Sequence, residues 1–451
     1  MIQNGIEVCR ILNRNGFEAY LVGGCVRDMK MNTSMKDVDI TTNALPEDIQ
    51  RIFPSHVDTG VAHGTISVRP NANSDLYEVT TYRIDGEYKD GRHPTEVVFI
   101  PLLTGDLARR DFTINAIAYD PITEETVDLF NGENDIKNKL IRCVGEAKSR
   151  FMEDPLRVLR AMRFAIKYGF TIEENTKNAM HNAAILSKLH ECISKERVTE
   201  ELRKMLTCNK PIRNIFLEFS DVVSTIIPEM RICVNAPHNN PWHQHDIYEH
   251  ILCVADGCNT ERFEVKLAAL LHDIGKPESR IVDDDRDRFN GHPEVSRTIT
   301  EGIFNRSLKV STKEKERVLE LISRHDVYIT DSPKAMTKFL SKTSEDFIAD
   351  WIILKGSDLA DHIVPIGKED IRADTDRRFK NFKNSINDVI ANAKALKVTD
   401  LKINGNDLIT VFGIKPGPEI GRILKNTFED VLDDKCDNER DELLKHVKTL
   451  V

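Results

Sequence analysis

Residues 21–42 read LVGGCVRDMKMNTSMKDVDITT, and this stretch decides the fold. An apolar run ends in Gly23-Gly24, and a second strand-like run, DVDITT, opens at Asp37. Glycine has no Cβ, so a Gly-Gly turn directly after a strand lets backbone approach a phosphate, and Arg27 adds a cation beside it. In an extended DVDITT, side chains alternate, so Asp37 and Asp39 point to one face. Two such carboxylates repel, and each raises the other's pKa unless a cation joins them. A plain turn and an exposed strand edge are the bland alternatives. Their close succession favours a shared site.

Outward from this pair, residues 1–140 mix helices with strand-like runs: AYLVGG, GTISVRP, LYEVTTYRI, EVVFI and ETVDLF. The opening MIQNGIEVCRILNRNG predicts an amphipathic helix with Ile6, Cys9, Ile11 and Leu12 near one face. It lacks the apolar core of a secretory signal. Residues 150–230 are helical in pattern, and NAPHNNPWHQ (235–244) is a loop whose His238 and His243, with His245 just after, are expected at the surface. Residues 245–365 are helical and rich in His and Asp, and 370–451 are helical again. The predicted fold class is therefore α+β, with a mixed-sheet head (1–140), then all-helical segments: a neck (141–230), a third domain (235–365) and a tail (370–451). A chain of 451 residues suits about three domains. No run approaches the roughly 18–20 apolar residues that span a bilayer. Nine cysteines include no CxxC pair, which predicts neither a disulfide framework nor a zinc ribbon and suits a reducing cytoplasm. The net charge of −10 argues mildly against a nucleic-acid binder. Basic residues nevertheless cluster at Arg157, Arg160, Arg163 and Lys167, and at Lys195, Arg197, Arg203, Lys204, Lys210 and Arg213, as an RNA-facing stripe or a solvated helix face.

Hard cations such as Mg²⁺ prefer carboxylate oxygen, and two of them can activate a 3′-hydroxyl and stabilise a leaving pyrophosphate. The GG…DxD arrangement resembles the DNA polymerase beta nucleotidyltransferase superfamily. RRDFTINA (109–116) is similar to the RRDFTxNA motif of class II tRNA nucleotidyltransferases and bacterial poly(A) polymerases. That resemblance implies a polymerase-beta-like head in which Asp37 and Asp39 hold Mg²⁺. It implies that Gly23, Gly24, Arg27 and Arg110 bind the triphosphate, that Asp111 and Asn115 contact the sugar, and that Arg160 and Arg163 extend the nucleotide-binding face. Glu78, in YEVTTYR, is a candidate third carboxylate. EDPLR (153–157) resembles the family's EDxxR motif, whose residues act as an amino-acid template. Three apart on a predicted helix, Asp154 and Arg157 share a face and offer an acceptor beside a donor. Cytosine and adenine present the complementary order, whereas guanine and uracil present the reverse and would leave polar groups unpaired. Pro155 also suits a first helical position, which leaves Asp154 open as a plain N-cap.

DLFNG (128–132) with Asp135 resembles the family's hinge, and ISKERV (193–198) through Glu201-Leu202 its neck helix. DGEYKDGRHP (85–94) resembles the flexible loop of CCA-adding members. The resemblance implies template-free addition of C, C and A from CTP and ATP to the 3′ end of tRNA. Poly(A) polymerase is the close rival, and a phosphohydrolase with an RNA-binding head is a rival of another class.

A second constellation lies downstream. His272-Asp273 follows the apolar VKLAALL, with His250 upstream and His292, His325 and Asp358 downstream. The set resembles the HD superfamily, which implies His250, His272, Asp273 and Asp358 as ligands, His292 and His325 as extra ligands of some branches, and phosphoester hydrolysis. Mixed imidazole and carboxylate donors suit a divalent transition metal or Mg²⁺ rather than structural zinc. In the tail, LKINGNDLITVFGIKPGPEIG (401–421) is either a helix-breaking turn or a tRNA platform bearing Lys415, Arg422 and Lys425.

Overall fold

A computed structural model describes residues 2–35, 37–71, 73–86, 97–282, 286–328 and 332–451. The chain forms two compact units, Met1–Arg231 with Gly302–Val310, and Ile232–Glu301 with Ser311–Val451. Most of the loop-like segment 85–94 lies outside the described residues.

In the first unit the strands run β1 (Ala19–Val22), β2 (Asp39–Thr42), β3 (His56–Gly60), β4 (Thr65–Val68), β5 (Tyr77–Thr81), β6 (Arg83–Asp85), β7 (Val97–Phe99), β8 (Ile117–Tyr119) and β9 (Thr126–Asp128). Seven form one sheet in the order β3-β4-β5-β2-β1-β8-β9. Only β2 and β5 pair in parallel, which makes the sheet mixed, as expected. The run LYEVTTYRI does not stay one strand. Tyr82, fully buried, donates its N–H to Thr42 and accepts from Ile100, so the chain leaves the main sheet there for the β6–β7 ribbon. Strand β3 escaped the sequence pattern because HVDTG is an exposed edge with no apolar alternation.

Leu21, Ile40, Ile66 and Val79 form the sheet's core with Val8, Cys9 and Leu12 of the helix Ile2–Arg14. Each such aliphatic side chain contributes about 1.5–3 kcal/mol of burial. Ile6 and Ile11 are only partly buried against it. Beyond the sheet, the helices Leu156–Tyr168 and Lys195–Leu206 pack side by side. A two-residue parallel pair, Leu140–Ile141 with Thr171–Ile172, interrupts a region expected to be wholly helical.

The second unit is built on the helices Ile247–Gly257, Phe263–Leu271, Thr312–Arg324 and Glu345–Asp361. FEVKLAALL is apolar nearly all round, and every residue except Glu264 is buried, so it forms the centre of this group. A satellite core near the end unites Leu401, Leu408, Ile423, Phe428, Val431 and Leu443. Within 401–421 the structure has a capped helix, Gly405–Phe412, and then a break at Gly413, whose φ of +68° suits glycine. Arg422 pairs there with Glu419 at 2.9 Å. Among the described residues, no helix is long and apolar enough to cross a membrane.

Candidate functional site

The register of three adjacent strands builds the head site. Val22 lies opposite Asp39, and Asp39 lies beside Glu78 of β5. Gly23 follows β1 with φ of +75°. A Cβ there would stand 3.0 Å from Arg110 Nη1 and 3.8 Å from Asp39 Oδ2, so the glycine keeps open the space that a guanidinium and a carboxylate face together. Strand β2 starts at Asp39, and Asp37 lies exposed just before it. Burial raises the Asp39 carboxyl above its usual range. Arg110 opposes that shift, while Glu78 and Asp37 add to it. Asp39 thus feels two further carboxylates, and carboxylate oxygen is the donor that hard divalent cations prefer.

Behind this cradle sits Asp106, which the sequence reading missed. It is fully buried and receives Arg109 through Nε and Nη2 at 2.9 and 2.6 Å, Arg110 through Nη2 at 3.1 Å, and the Thr41 hydroxyl at 3.2 Å. Burial alone would raise this carboxyl, but Arg110 and Arg109 outweigh it and hold it low. Asp111 faces inward too. Its oxygens accept Arg160 at 2.8 and 2.5 Å, the Phe112 N–H at 2.8 Å and the Asn115 amide at 3.0 Å. Asn115 in turn accepts Arg27 Nη1 at 2.5 Å. The predicted sugar contacts are thus knitted into the turn that carries them. Asp128 caps the hinge by accepting the N–H groups of Gly132 and Glu133. Any Cβ on Gly132 would meet the Thr113 carbonyl oxygen at 2.2 Å, so only glycine lets the hinge lie against the RRDFTINA turn.

The expected Asp154–Arg157 pair needs correction. Asp154 is not on a helix. It lies at φ −130°, ψ 99°, between Ala147–Glu153 and Leu156–Tyr168. A residue before proline is driven out of the helical region. One Asp154 oxygen accepts the Leu156 N–H at 3.1 Å and the other accepts Arg197 at 3.0 Å. Arg157 is buried and donates instead to Glu153 at 2.9 Å and to the carbonyls of Arg109 and Arg150 at 3.0 and 3.2 Å. Several members of the basic clusters pair within the fold: Arg160 with Asp111, Arg163 with Glu201 at 2.6 Å, and Lys204 with Glu200 at 3.3 Å. Arg27, Arg160 and Arg163 also lie over the Phe164 ring at 5.4, 5.4 and 4.2 Å from its centroid, an aromatic role no motif announced.

In the second unit the six predicted ligands do converge. Asp273 is their centre. Its Oδ2 lies 3.3 Å from His250 Nε2 and 3.2 Å from His272 Nε2, while its Oδ1 lies 3.2 Å from His292 Nε2 and 3.4 Å from His325 Nε2. Asp358 Oδ1 is 3.4 Å from His250 Nε2. Two ligand groups therefore share Asp273: one with His250 and His272, the other with His292 and His325. Each imidazole is held from behind. Nδ1 of His250 meets Asp361 at 2.7 Å, and Nδ1 of His272, His292 and His325 meets the carbonyls of Ala269, Phe289 and Ile322 at 2.8, 2.8 and 2.7 Å. These contacts place the proton on Nδ1 and turn each Nε2 lone pair inward. His250 Nε2, His272 Nε2 and Asp273 Oδ1 are buried without a hydrogen bond. Such orphaned atoms, in two ligand groups that share Asp273, fit divalent-ion binding. Burial alone would lower His250, but Asp273, Asp358 and Asp361 push it up to about 10, which marks the centre as rich in negative charge.

Sequence reasoning missed Lys276, 2.6 Å from Asp273 Oδ2, and Lys355, 3.4 Å from Asp358 Oδ2, both buried. It also misplaced the loop histidines. His238 is buried and stacks on His243 at 3.8 Å, and His243 meets His250 and His362 edge-on at 4.8 and 4.6 Å. Burial, together with the Lys276 cation, lowers His238 to about 3.

Models of known families match along the chain. A poly A polymerase head domain covers residues 19–142, an RNA and SrmB binding site of polymerase A covers 169–230, an HD domain covers 243–339, and a tRNA nucleotidyltransferase domain 2 covers 371–447. A CCA-adding enzyme of Lactococcus lactis subsp. cremoris is 32% identical over 442 residues, 98% of this chain and 94% of that one. One of Oceanobacillus iheyensis is 49% identical over 191 residues, which span only 42% of this chain and 46% of the relative. Among solved structures, the Bacillus stearothermophilus CCA-adding enzyme in complex with CTP superposes with a TM-score of 0.68 at 27% identity, covering 99% of this chain and 98% of that one. The Thermotoga maritima CCA-adding enzyme complexed with tRNA shares the fold, with a TM-score of 0.59 at 20% identity over 100% of this chain and 96% of that one.

Proposed function

The chain belongs to the family of CCA-adding enzymes, and on that premise we propose that it adds C, C and A to the 3′ end of tRNA in the cytoplasm. The observation that carries the reading is that Arg110 and Asp39 both face the space that Gly23 leaves open. The proposed roles follow from charge and position. Asp37 and Asp39, with Glu78 beside them, hold Mg²⁺, which when bound lowers the cost of deprotonating the RNA 3′-hydroxyl and of releasing pyrophosphate. Arg110, fixed by Asp106, and the backbone at Gly23 and Gly24 receive the triphosphate. The 3′-oxygen attacks the α-phosphorus, the bond to the β-phosphate oxygen breaks, and no covalent enzyme intermediate forms.

The base is selected by hydrogen bonds at Asp154. Its donor partner is either Arg197, already 3.0 Å away, or Arg157 once released from Glu153. Arg27, Asp111, Asn115, Arg160 and Arg163 shape the pocket from behind. In domain terms, residues 1–140 are the catalytic head, 141–230 the nucleotide-selecting neck, 235–365 the HD domain and 370–451 the tRNA-binding tail. The HD centre, with His250, His272, Asp273, Asp358, His292 and His325 as ligands, takes transition-metal ions or Mg²⁺ and directs water at a phosphoester.

Supplying tRNA that lacks CCA with CTP, ATP, GTP or UTP tests the reading. Two C residues and then one A support it. Long A tails on any RNA overturn it in favour of a poly(A) polymerase. Asp39→Ala abolishes incorporation, whereas His272→Ala leaves incorporation intact and removes hydrolysis.

A further inference from the structure

On the outer side of the HD centre lies a second set of ligand atoms that the proposed function does not use. His245, Cys253 and Asp361 are each half-buried, and one ligand atom from each lies within 4.8 Å of the others. The helix Ile247–Gly257 builds the set. His245 directly precedes its N-cap, Asp246, while Glu249 and Cys253 stand one turn apart on the same face. Asp361, the last residue of Glu345–Asp361, comes from the neighbouring helix.

The arrangement has a division of labour. Asp361 Oδ2 is committed to His250 Nδ1 at 2.7 Å, whereas Oδ1 faces His245 Nε2 at 4.0 Å. Glu249 Oε2 lies 3.1 Å from His245 Nδ1, which favours the proton on Nδ1 and leaves the Nε2 lone pair toward Asp361. Cys253 Sγ lies within 4.8 Å of both the Asp361 carboxylate oxygen and the His245 ring nitrogen. A carboxylate behind an imidazole, a thiol and a shared carboxylate make a donor set of mixed softness. The HD ligands themselves are only histidine and aspartate.

We propose that His245 Nε2, Cys253 Sγ and Asp361 Oδ1 form a separate thiolate-containing site for a borderline-soft divalent ion of the Zn²⁺ class, with Glu249 orienting the imidazole. Zn²⁺ with tetrahedral ligands holds such atoms about 3.3–3.8 Å apart, so closing the site needs shifts of about 1 Å, within rotamer adjustment. Binding replaces the thiol proton, which leaves to solvent, and a fourth position remains for water. Because Asp361 also holds His250, an ion here is coupled to the orientation of an HD ligand. The proposal stands whether or not the HD centre hydrolyses anything.

Cobalt distinguishes the two sites, because only a thiolate gives an intense near-ultraviolet sulfur-to-Co²⁺ band. The full chain, stripped by chelation and titrated with Co²⁺, develops this band. Cys253→Ser loses it while still binding Co²⁺ at the HD ligands. On the unmutated protein, saturating Zn²⁺ slows alkylation of Cys253 by iodoacetamide, read by peptide mass spectrometry, by roughly 100-fold at a metal concentration about 100 times Kd. No sulfur band at Co²⁺ saturation, a band that survives Cys253→Ser, or unchanged alkylation each overturns the proposal.

Discussion

Asp106→Asn keeps the shape of a side chain that never touches solvent and removes its charge. In the native protein that charge receives two hydrogen bonds from Arg109, one from Arg110 and one from Thr41. An amide offers one acceptor oxygen, and its NH₂ must then face either a guanidinium or the Thr41 hydroxyl. Stranding one partner of a buried ion pair costs about 3–5 kcal/mol. The two arginine side chains keep 17% and 18% exposure, so water recovers part of that loss, and about 2–4 kcal/mol is expected. Arg110 loses its fixed aim across Gly23, so the KM for CTP and ATP rises roughly tenfold, equivalent to about 1.4 kcal/mol, with a smaller change in kcat. The Asp106 carboxyl is held low in the fold, so its stabilisation is present above the unfolded pKa of about 3.9 and lost as pH falls through the folded value. Asp106→Asn therefore also removes part of the wild-type acid sensitivity. Urea denaturation and initial rates against nucleotide concentration measure both effects. A variant with unchanged midpoint and unchanged KM would refute the role given to Asp106.

The base reader is tested by Arg157→Lys and Arg197→Lys. The donor that reads the base relaxes exclusion of GTP and UTP, while the other variant changes stability alone, as nucleotide-resolved incorporation will reveal. Asp39 is raised by burial, so its charged form is disfavoured in the fold, and stability is lost as pH rises through the folded value. Mg²⁺ accordingly raises the melting temperature more at neutral than at acid pH, and an equal shift at both would exclude Asp39 as a ligand. Asp350 is pushed up to about 6 by burial, which Arg262 at 2.7 Å and Arg317 at 3.7 Å only partly offset. Its fold stabilisation is full below about 3.8 and lost as pH rises through about 6, so Asp350→Asn stabilises the fold at neutral pH by about 1–3 kcal/mol, read as a higher melting temperature. A lower melting temperature would mean that the two ion pairs prevail.

The head's sheet was legible because Gly-Gly after a strand needs only local geometry, whereas the run read as one strand from Asp37 pairs only from Asp39, which leaves Asp37 exposed before it. Asp106 stayed hidden although its signal was present, since an acid three and four residues before Arg109 and Arg110 is the spacing at which helical side chains meet. The Asp154–Arg157 pairing failed because a spacing of three was read as helical across Pro155, when the residue before proline is the one least able to be helical. His238 and His243 were misjudged since Pro237 and Pro241 mark the segment as a loop, and composition does not tell which loop side chains turn inward.

The histidine–aspartate cluster of the second unit shows where local and long-range information divide. For His272, His292 and His325 the carbonyl that fixes Nδ1 belongs in each case to the residue three positions earlier, so the chain's own turn prepares each ligand before any partner helix arrives. His250 is different. Its Nδ1 is held by Asp361, 111 residues away, and two of the carboxylates around it, Asp358 and Asp361, come from that same distant helix. The imidazole whose orientation depends most on tertiary packing is thus the one next to the outer His245–Cys253–Asp361 set. If coupling between the two sites exists, it passes through Asp361. Asp361→Asn should then lower HD metal affinity through His250 even though Asp361 is not one of the six predicted ligands.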